Sequence, residues 1–404
     1  MLRNFPRQAV ILVGGKGSRL GKITKKTPKP LIKLDGNFFL NYQINYLMQF
    51  KFKEILLLCG YKKNLFKKFV NYRNDVNIKI VYEKKLLGTG GAISNAYKHL
   101  DNIFFLCNGD TFFEINLFDF YNNFNKNKDD GVLALKKATS NERFSKVIVK
   151  KKKIILFTRD KVRKNEIFNC GFYFFKKKLF NNKKKKKSLE IDILPNLCKT
   201  KKIRYKIFNE KLIDIGVPED LDLAKKFFKK YNKRKFIILD RDGVINHDYS
   251  YVYKWNNFKF ISGAIKFLKI LTSKKVPIFI ITNQAGIGKN FYNEITLKKL
   301  HDKLLNYLMS KKIFIKKIYF CPHHVNARLK KYRKNCNFRK PNNGFYKLLK
   351  KQWTLKSDNA IFLDDKIENK NFAIKSKIRF FHYDKKKNRN LFKFSIKKKI
   401  FNYF

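Results

Sequence analysis

AVILVGGKGSRLGKITKKTPKPL, residues 9–31, opens with five apolar residues and stops at a glycine. An apolar run of that length, followed at once by glycines, reads as a strand buried on both faces that ends in a phosphate-accommodating loop. Gly14, Gly15 and Gly17 let backbone amides approach anionic oxygens, while Arg19 and Lys29 add fixed and mobile positive charge. The loop lacks the G-K-[ST] close of a Walker loop, and its glycines do not fit G-x-G-x-x-G. Comparable apolar runs recur at 54–60, 78–83, 103–110 and 131–136, separated by helix-like stretches such as 39–50 and 91–99. This alternation predicts an α/β domain built on a mostly parallel sheet with helices on both faces.

A second series begins with KFIILDRDG (235–243) and continues through 276–284, 316–322 and 359–365, with helical spacing at 262–274 and 294–309. It predicts a second, unlike α/β domain. LAKKFFKKYNKRK reads as a terminal helix running into a charged connection, so the expected division is 1–232, 233–385 and a basic tail at 386–404. FIILDRDGVIN (236–246) puts Asp240 and Asp242 at i and i+2 on the end of an apolar strand. Carboxylates placed there answer to a cation, and Mg²⁺ is the economical one.

The chain has 404 residues, 44% of them hydrophobic, enough for two real cores. Its 94 Lys and Arg against 30 Asp and Glu give a net charge of +64, which invites a nucleic-acid reading. The chain is also rich in Phe, Tyr, Ile and Asn, whose codons are rich in A and T, and no nucleic-acid motif accompanies the charge. Background composition therefore accounts for the excess, and no specific nucleic-acid partner is expected. The rival from another class is a basic nucleic-acid-binding protein with degenerate catalytic domains. No apolar run approaches the roughly 18 residues of a membrane span, and the six cysteines are scattered, so the expectation is a cytoplasmic protein without a membrane partner.

The segment 14–31, with its T-x-x-x-P-K-P-L phrase, closely resembles the signature of sugar-1-phosphate nucleotidylyltransferases. Glu83 and LGTGGA (87–92), Asn108-Gly109-Asp110, Asn169-Cys170-Gly171 and Asp214-Ile215-Gly216 extend the likeness over residues 7–228. The resemblance implies that Gly14, Gly15, Gly17, Ser18, Glu83, Gly88, Thr89 and Asn108 bind a nucleoside triphosphate, with GTP favoured, and that Asn169 contacts the sugar. It further implies that Asp110 and Asp214 hold Mg²⁺ and that Arg19 and Lys29 stabilise the departing pyrophosphate. The family's Glu-Lys pair, whose lysine meets the sugar phosphate, has no counterpart in 154–162, where Arg159 and Lys161 are the available substitutes.

The second half resembles the haloacid dehalogenase-like phosphatases, through DRDGVIN, Thr282-Asn283-Gln284, Arg339-Lys340-Pro341 and Asp364-Asp365-Lys366 in order. HDYSYV, TNQAGIGK and CPHH narrow this to the histidinol-phosphatase and D-glycero-D-manno-heptose-1,7-bisphosphate phosphatase group. The likeness implies Asp240 as nucleophile, Asp242 as general acid and base, and Asp240, Asp242 and Asp365 around Mg²⁺. It also implies that Asp248, Tyr251, Thr282, Asn283, Gln284, Arg339, Lys340 and Lys366 meet the substrate. The group's zinc loop is represented by Cys321, His323 and Cys336, with Phe338 at the fourth position. Phenylalanine cannot ligate zinc, so either His324 replaces it or the loop packs without metal around Phe338.

The phosphatase that these motifs resemble makes the sugar 1-phosphate that the transferase consumes. The joint expectation is a bifunctional enzyme of nucleotide-sugar synthesis acting on phosphorylated heptose and GTP. A mannose-1-phosphate guanylyltransferase or other hexose-1-phosphate nucleotidylyltransferase fused to a histidinol-phosphatase is the alternative.

Overall fold

The computed structural model describes residues 5–404 except 51, 74–75, 151–152, 159, 182–185, 201, 354 and 356–358. The chain divides into two compact units, Met1–Phe228 and Lys229–Phe404. No helix among the described residues is long and apolar enough to cross a membrane.

In the first unit the strand Gln8–Leu12 is the centre of a nine-stranded sheet. It pairs in parallel with Glu54–Cys59 on one side and Ile103–Asn108 on the other. Ala9, Val10 and Ile11 are wholly buried, as an unbroken apolar run requires. The chain first builds outward from Glu54–Cys59 to Ile78–Tyr82, then returns to lay Ile103–Asn108 on the opposite edge of Gln8–Leu12. That reversal leaves a crevice at the carboxyl ends of the two central strands, where α/β sheets take their ligands. Beyond it the sheet is mixed. Ile167–Lys176 runs antiparallel to Ile103–Asn108 and to Gly131–Lys137, while Ile203–Phe208 pairs in parallel with Gly131–Lys137.

The second unit is a five-stranded, fully parallel sheet in the order Lys317–Cys321, Ile278–Asn283, Phe236–Leu239, Ala360–Asp364, Arg379–His382. It uses the same device: the first strand, Phe236–Leu239, lies between the second and the fourth, so a crevice opens at its carboxyl end. The α/β architecture inferred from the apolar runs is therefore present in both units.

Residues 386–404 depart from the basic tail that their lysines suggested. They form the helix Leu391–Lys397, capped by Asn390 Oδ1 accepting from the Lys393 amide at 3.0 Å, and a short turn at Ile400–Tyr403. Leu391, Phe394 and Ile400 enter the same core as Phe267, Leu268 and Leu271. The cause is amphipathic spacing: apolar residues three apart cover the core while the lysines between them face water.

Candidate active sites

At the crevice of the first unit a recess of about 500 Å³ is lined by Gly14, Gly15, Gly17, Glu83, Gly88 and Thr89. A larger cleft of about 790 Å³, which includes Arg19, Asn169 and Asp214, shares Lys29, Asn108, Asp110 and Glu190 with it. Ser18 lines neither; it opens the short turn Ser18–Leu20. Lys161 is exposed away from both linings, and Arg159 lies outside the described residues.

The close passage of backbone explains the first glycine. A Cβ on Gly14 would stand 2.8 Å from Glu83 Oε1 and 3.0 Å from the Gly60 nitrogen. Glu83 is buried and accepts from the Leu87 amide at 2.8 Å, which ties the strand end at 78–82 to the start of the helix Gly88–Asn95. Burial raises its carboxyl above the usual range despite that bond.

Lys29 Nζ lies 3.1 Å from Asp110 Oδ2. Asp214 accepts from Thr111 Oγ1 at 3.1 Å and from the Gly216 amide at 2.7 Å. Burial, and then the charge of Asp110, push the Asp214 carboxyl up to about 7. Two facing carboxylates, one of them costly to ionise, form a hard oxygen donor set whose repulsion a divalent cation relieves, so the pair fits Mg²⁺. Gln43, which motif reading passed over, fixes the loop carrying Asp110: its Nε2 donates to the Asn108 carbonyl at 2.8 Å and to the Thr111 carbonyl at 2.7 Å.

In the second unit, a cleft of about 270 Å³ is lined by Asp240, Asp242, Asp248, Tyr251, Thr282, Asn283, Gln284, Arg339 and Lys366. Lys340 lies beneath it, 1% exposed, with Nζ 2.8 Å from Asp240 Oδ2 and 2.6 Å from Asp364 Oδ2. Burial works against its ammonium, yet the charges of Asp240 and Asp364 outweigh that and hold its pKa above the ordinary lysine value. Removing the cation strands two buried carboxylates. Lys340→Met should therefore destabilise this unit by about 3–5 kcal/mol, read as a lowered urea midpoint for its unfolding transition, and an unchanged midpoint would contradict this account.

The acidic group assembled here is Asp240, Asp364 and Asp365, whose ligand oxygens all lie within 4.8 Å of one another. Asp242 is not in it. Its two oxygens are taken by a bidentate contact from Arg241 Nη2, 2.8 Å to each, and by Asn246 and Gln284 at 2.8 Å. Arg241 is fully buried and also meets His301 Nε2 at 3.0 Å and the Val252 carbonyl at 2.7 Å, so it sets the direction in which Asp242 points. Asp364 is the added carboxylate, and Lys340 and Asn369 between them hold both its oxygens. Asp365 keeps a buried Oδ1 with no hydrogen-bond partner, while its Oδ2 pairs with Lys385 at 2.9 Å. An orphaned carboxylate oxygen beside Asp240 fits a hard cation such as Mg²⁺.

Asn283, at the cleft lining, pins Lys340, donating to its carbonyl and accepting from its amide, both at 3.0 Å. Tyr251 has φ +63° and accepts from Lys289 Nζ at 2.8 Å. Cys321, His323 and Cys336 do converge, with donor atoms within 4.8 Å, a set that suits zinc. His324 lines the cleft of the second unit and accepts from the Asn326 amide at 3.0 Å. Phe338 is 40% exposed and packs against Phe345 with ring centroids 5.0 Å apart, so it does not plug the loop.

Two strand-end crevices, each floored with carboxylates and edged with lysine or arginine, define a pair of phosphoryl-transfer centres. The nucleotidyl transferase family model matches residues 8–231, and the chain belongs to that family; the polynucleotide kinase 3 phosphatase model matches residues 235–398. The first half is 37% identical over 218 residues to D-glycero-alpha-D-manno-heptose 1-phosphate guanylyltransferase of Campylobacter jejuni, 53% of this chain and 96% of that protein. The second is 33% identical over 145 residues to D-glycero-beta-D-manno-heptose-1,7-bisphosphate 7-phosphatase of Haemophilus influenzae, 36% of this chain and 78% of that protein. Phosphatases named for the alpha anomer also align there. Among solved structures, HddC from Yersinia pseudotuberculosis complexed with GMP-PN is 28% identical with a TM-score of 0.51, covering 55% of this chain and 100% of that one.

Proposed function

We propose that the chain is a bifunctional enzyme that dephosphorylates D-glycero-D-manno-heptose 1,7-bisphosphate at position 7 and then transfers GMP from GTP to the resulting heptose 1-phosphate. The observation that carries this reading is the coexistence of both centres in one chain, each similar to an enzyme whose named substrate is linked to the other's. The alpha anomer is favoured, because the guanylyltransferase relatives carry that name. The reading puts the enzyme in the cytoplasm, where nucleoside triphosphate is available.

In the phosphatase centre, a carboxylate oxygen of Asp240 attacks the 7-phosphorus and the bond to the sugar oxygen breaks. Asp242 gives its proton to that oxygen, then removes one from the water that attacks the aspartyl-phosphate, so phosphate leaves and Asp240 is restored. Lys340, 2.8 Å from Asp240, favours its ionised form against the burial that raises its carboxyl above the usual range, and Thr282, Arg339 and Lys366 meet the phosphoryl oxygens and the rest of the substrate. In the transferase centre, an oxygen of the 1-phosphate attacks the α-phosphorus of GTP and the bond to the β-phosphate bridge breaks. Arg19 and Lys29 balance charge on the departing pyrophosphate, with the Gly14–Gly17 loop around the triphosphate. Mg²⁺ bound by Asp110 and Asp214, or by Asp240 and Asp365, would neutralise phosphate charge.

Separate incubations of the full chain with heptose 1,7-bisphosphate, Mg²⁺ and each of four nucleoside triphosphates should yield a nucleotide-sugar, GDP-heptose, by mass analysis in the GTP sample alone. Rapid hydrolysis of another phosphomonoester with no phosphate released from the heptose bisphosphate would sink the proposal. We assign zinc to Cys321, His323 and Cys336 as a three-side-chain site with one position open. Phe338→Cys should then raise zinc affinity at least about tenfold in competition with a chromophoric chelator, by supplying a fourth ligand.

A further inference from the structure

Two acceptors stand at the junction of the first unit's clefts. Glu190 lines both clefts, and the hydrogen bonds from its neighbours, Thr89 Oγ1 at 3.1 Å and Ser188 Oγ at 3.3 Å, both fall on Oε2. Asn108 also lines both, and its Oδ1 is buried with no hydrogen-bond partner. Burial, opposed by the bonds from its own amide, Thr89 and Ser188 and reinforced by the charge of Asp110, raises the Glu190 carboxyl above its usual range. A carboxylate has about four lone-pair sites, so Glu190 can accept further donors, and the buried Asn108 Oδ1 is costly unless a ligand supplies one.

The other carboxylates lining the larger cleft are engaged. Asp110 pairs with Lys29, Asp214 is held by Thr111 and Gly216, Asp220 pairs with Arg143, and Glu142 accepts from Ser140 at 3.3 Å. Near Glu190, Asn169 donates from Nδ2 to Tyr173 Oη at 2.6 Å, and Gly171, with φ +71°, abuts Asn108 so closely that a Cβ there would lie 2.5 Å from its amide nitrogen. Polar groups thus surround the place where the two clefts meet, and the stretch 154–162 brings no Glu-Lys pair to it.

From this geometry we infer that Glu190, with Asn108 beside it, is the acceptor that grips hydroxyl groups of the sugar 1-phosphate and so determines which sugar is taken. The inference rests on the transferase reading of the first unit. Hydroxyl donors come from two sources, the acceptor sugar or the ribose of the nucleotide, and the cleft shared with Asn169 and Asp214 favours the sugar.

The test uses the full chain and Glu190→Gln, which keeps an oxygen for Thr89 and Ser188. The KM for heptose 1-phosphate should rise about 10- to 100-fold, the loss expected for a charge-assisted hydrogen bond, with KM for GTP within about twofold. A series of deoxy sugar 1-phosphates should penalise the wild type for one missing hydroxyl and leave the variant nearly indifferent to it, a coupling that a merely structural role would not produce. Unchanged sugar KM overturns the inference, as does a variant whose discrimination is lost between GTP and 2′- or 3′-deoxyGTP instead. Failure of the wild type on every sugar 1-phosphate overturns the transferase reading and this inference with it. Turnover of a different sugar by the wild type overturns only the heptose assignment, and the comparison then runs on that sugar.

Discussion

Asp240→Asn is expected to lower phosphate release from heptose 1,7-bisphosphate by at least about 10⁴-fold, because an amide cannot form the covalent phosphoryl intermediate. GMP transfer to supplied heptose 1-phosphate should stay within about twofold. The substitution keeps the shape of the side chain and leaves Lys340 paired with Asp364 at 2.6 Å, so the second unit should remain folded. Phosphate release is followed colorimetrically and transfer by pyrophosphate production in the same preparation. Surviving hydrolysis would remove Asp240 from the nucleophile's role, and a parallel fall in transfer would indicate general damage.

Asp110→Ala is expected to act in the opposite sense. Loss of one of two carboxylates facing the reacting phosphates, together with the partner of Lys29 at 3.1 Å, should reduce GMP transfer about 10³-fold. Hydrolysis of the bisphosphate should be unaffected, so heptose 1-phosphate should accumulate in a mixture that also contains GTP. Restored transfer at high Mg²⁺ would agree with a weakened cation site; full transfer at ordinary Mg²⁺ would exclude Asp110 as a ligand.

The central strands were legible because they are buried on both faces: Ala9–Ile11 and Phe236–Leu239 allow no polar residue, and an unbroken apolar run says so. The fifth strand of the second unit, Arg379–His382, was not legible, since it is a short, partly exposed edge. The terminal helix escaped because lysine runs flank it, while only Leu391, Phe394 and Ser395 are buried within it. Site residues carried by motifs were found together with their order, whereas Gln43, Arg241, Asp364 and Glu190 acquire their roles only through folding. Gln43 meets Asn108 and Thr111 across more than 60 positions of sequence, and a glutamine in a helix carries no sign of that. Asp364 and Asp365 are adjacent and chemically alike; only the strand's pleat decides that one turns to Lys340 and the other keeps a bare oxygen.

Asp110, Asp240 and Asp365 stand just past the ends of the strands Ile103–Asn108, Phe236–Leu239 and Ala360–Asp364. This separates two kinds of inherited change. Alterations within 9–12 or 236–239 would act on how much folded protein a cell retains, because those side chains are the interior of the sheet. Alterations at the exposed positions Gly15, Arg19 and Lys366 would act on what the retained protein does, with little effect on its abundance. A chain can therefore be as lysine-rich as this one and still accommodate two such centres, provided that the lysines are confined to surfaces and a few loop positions are spared.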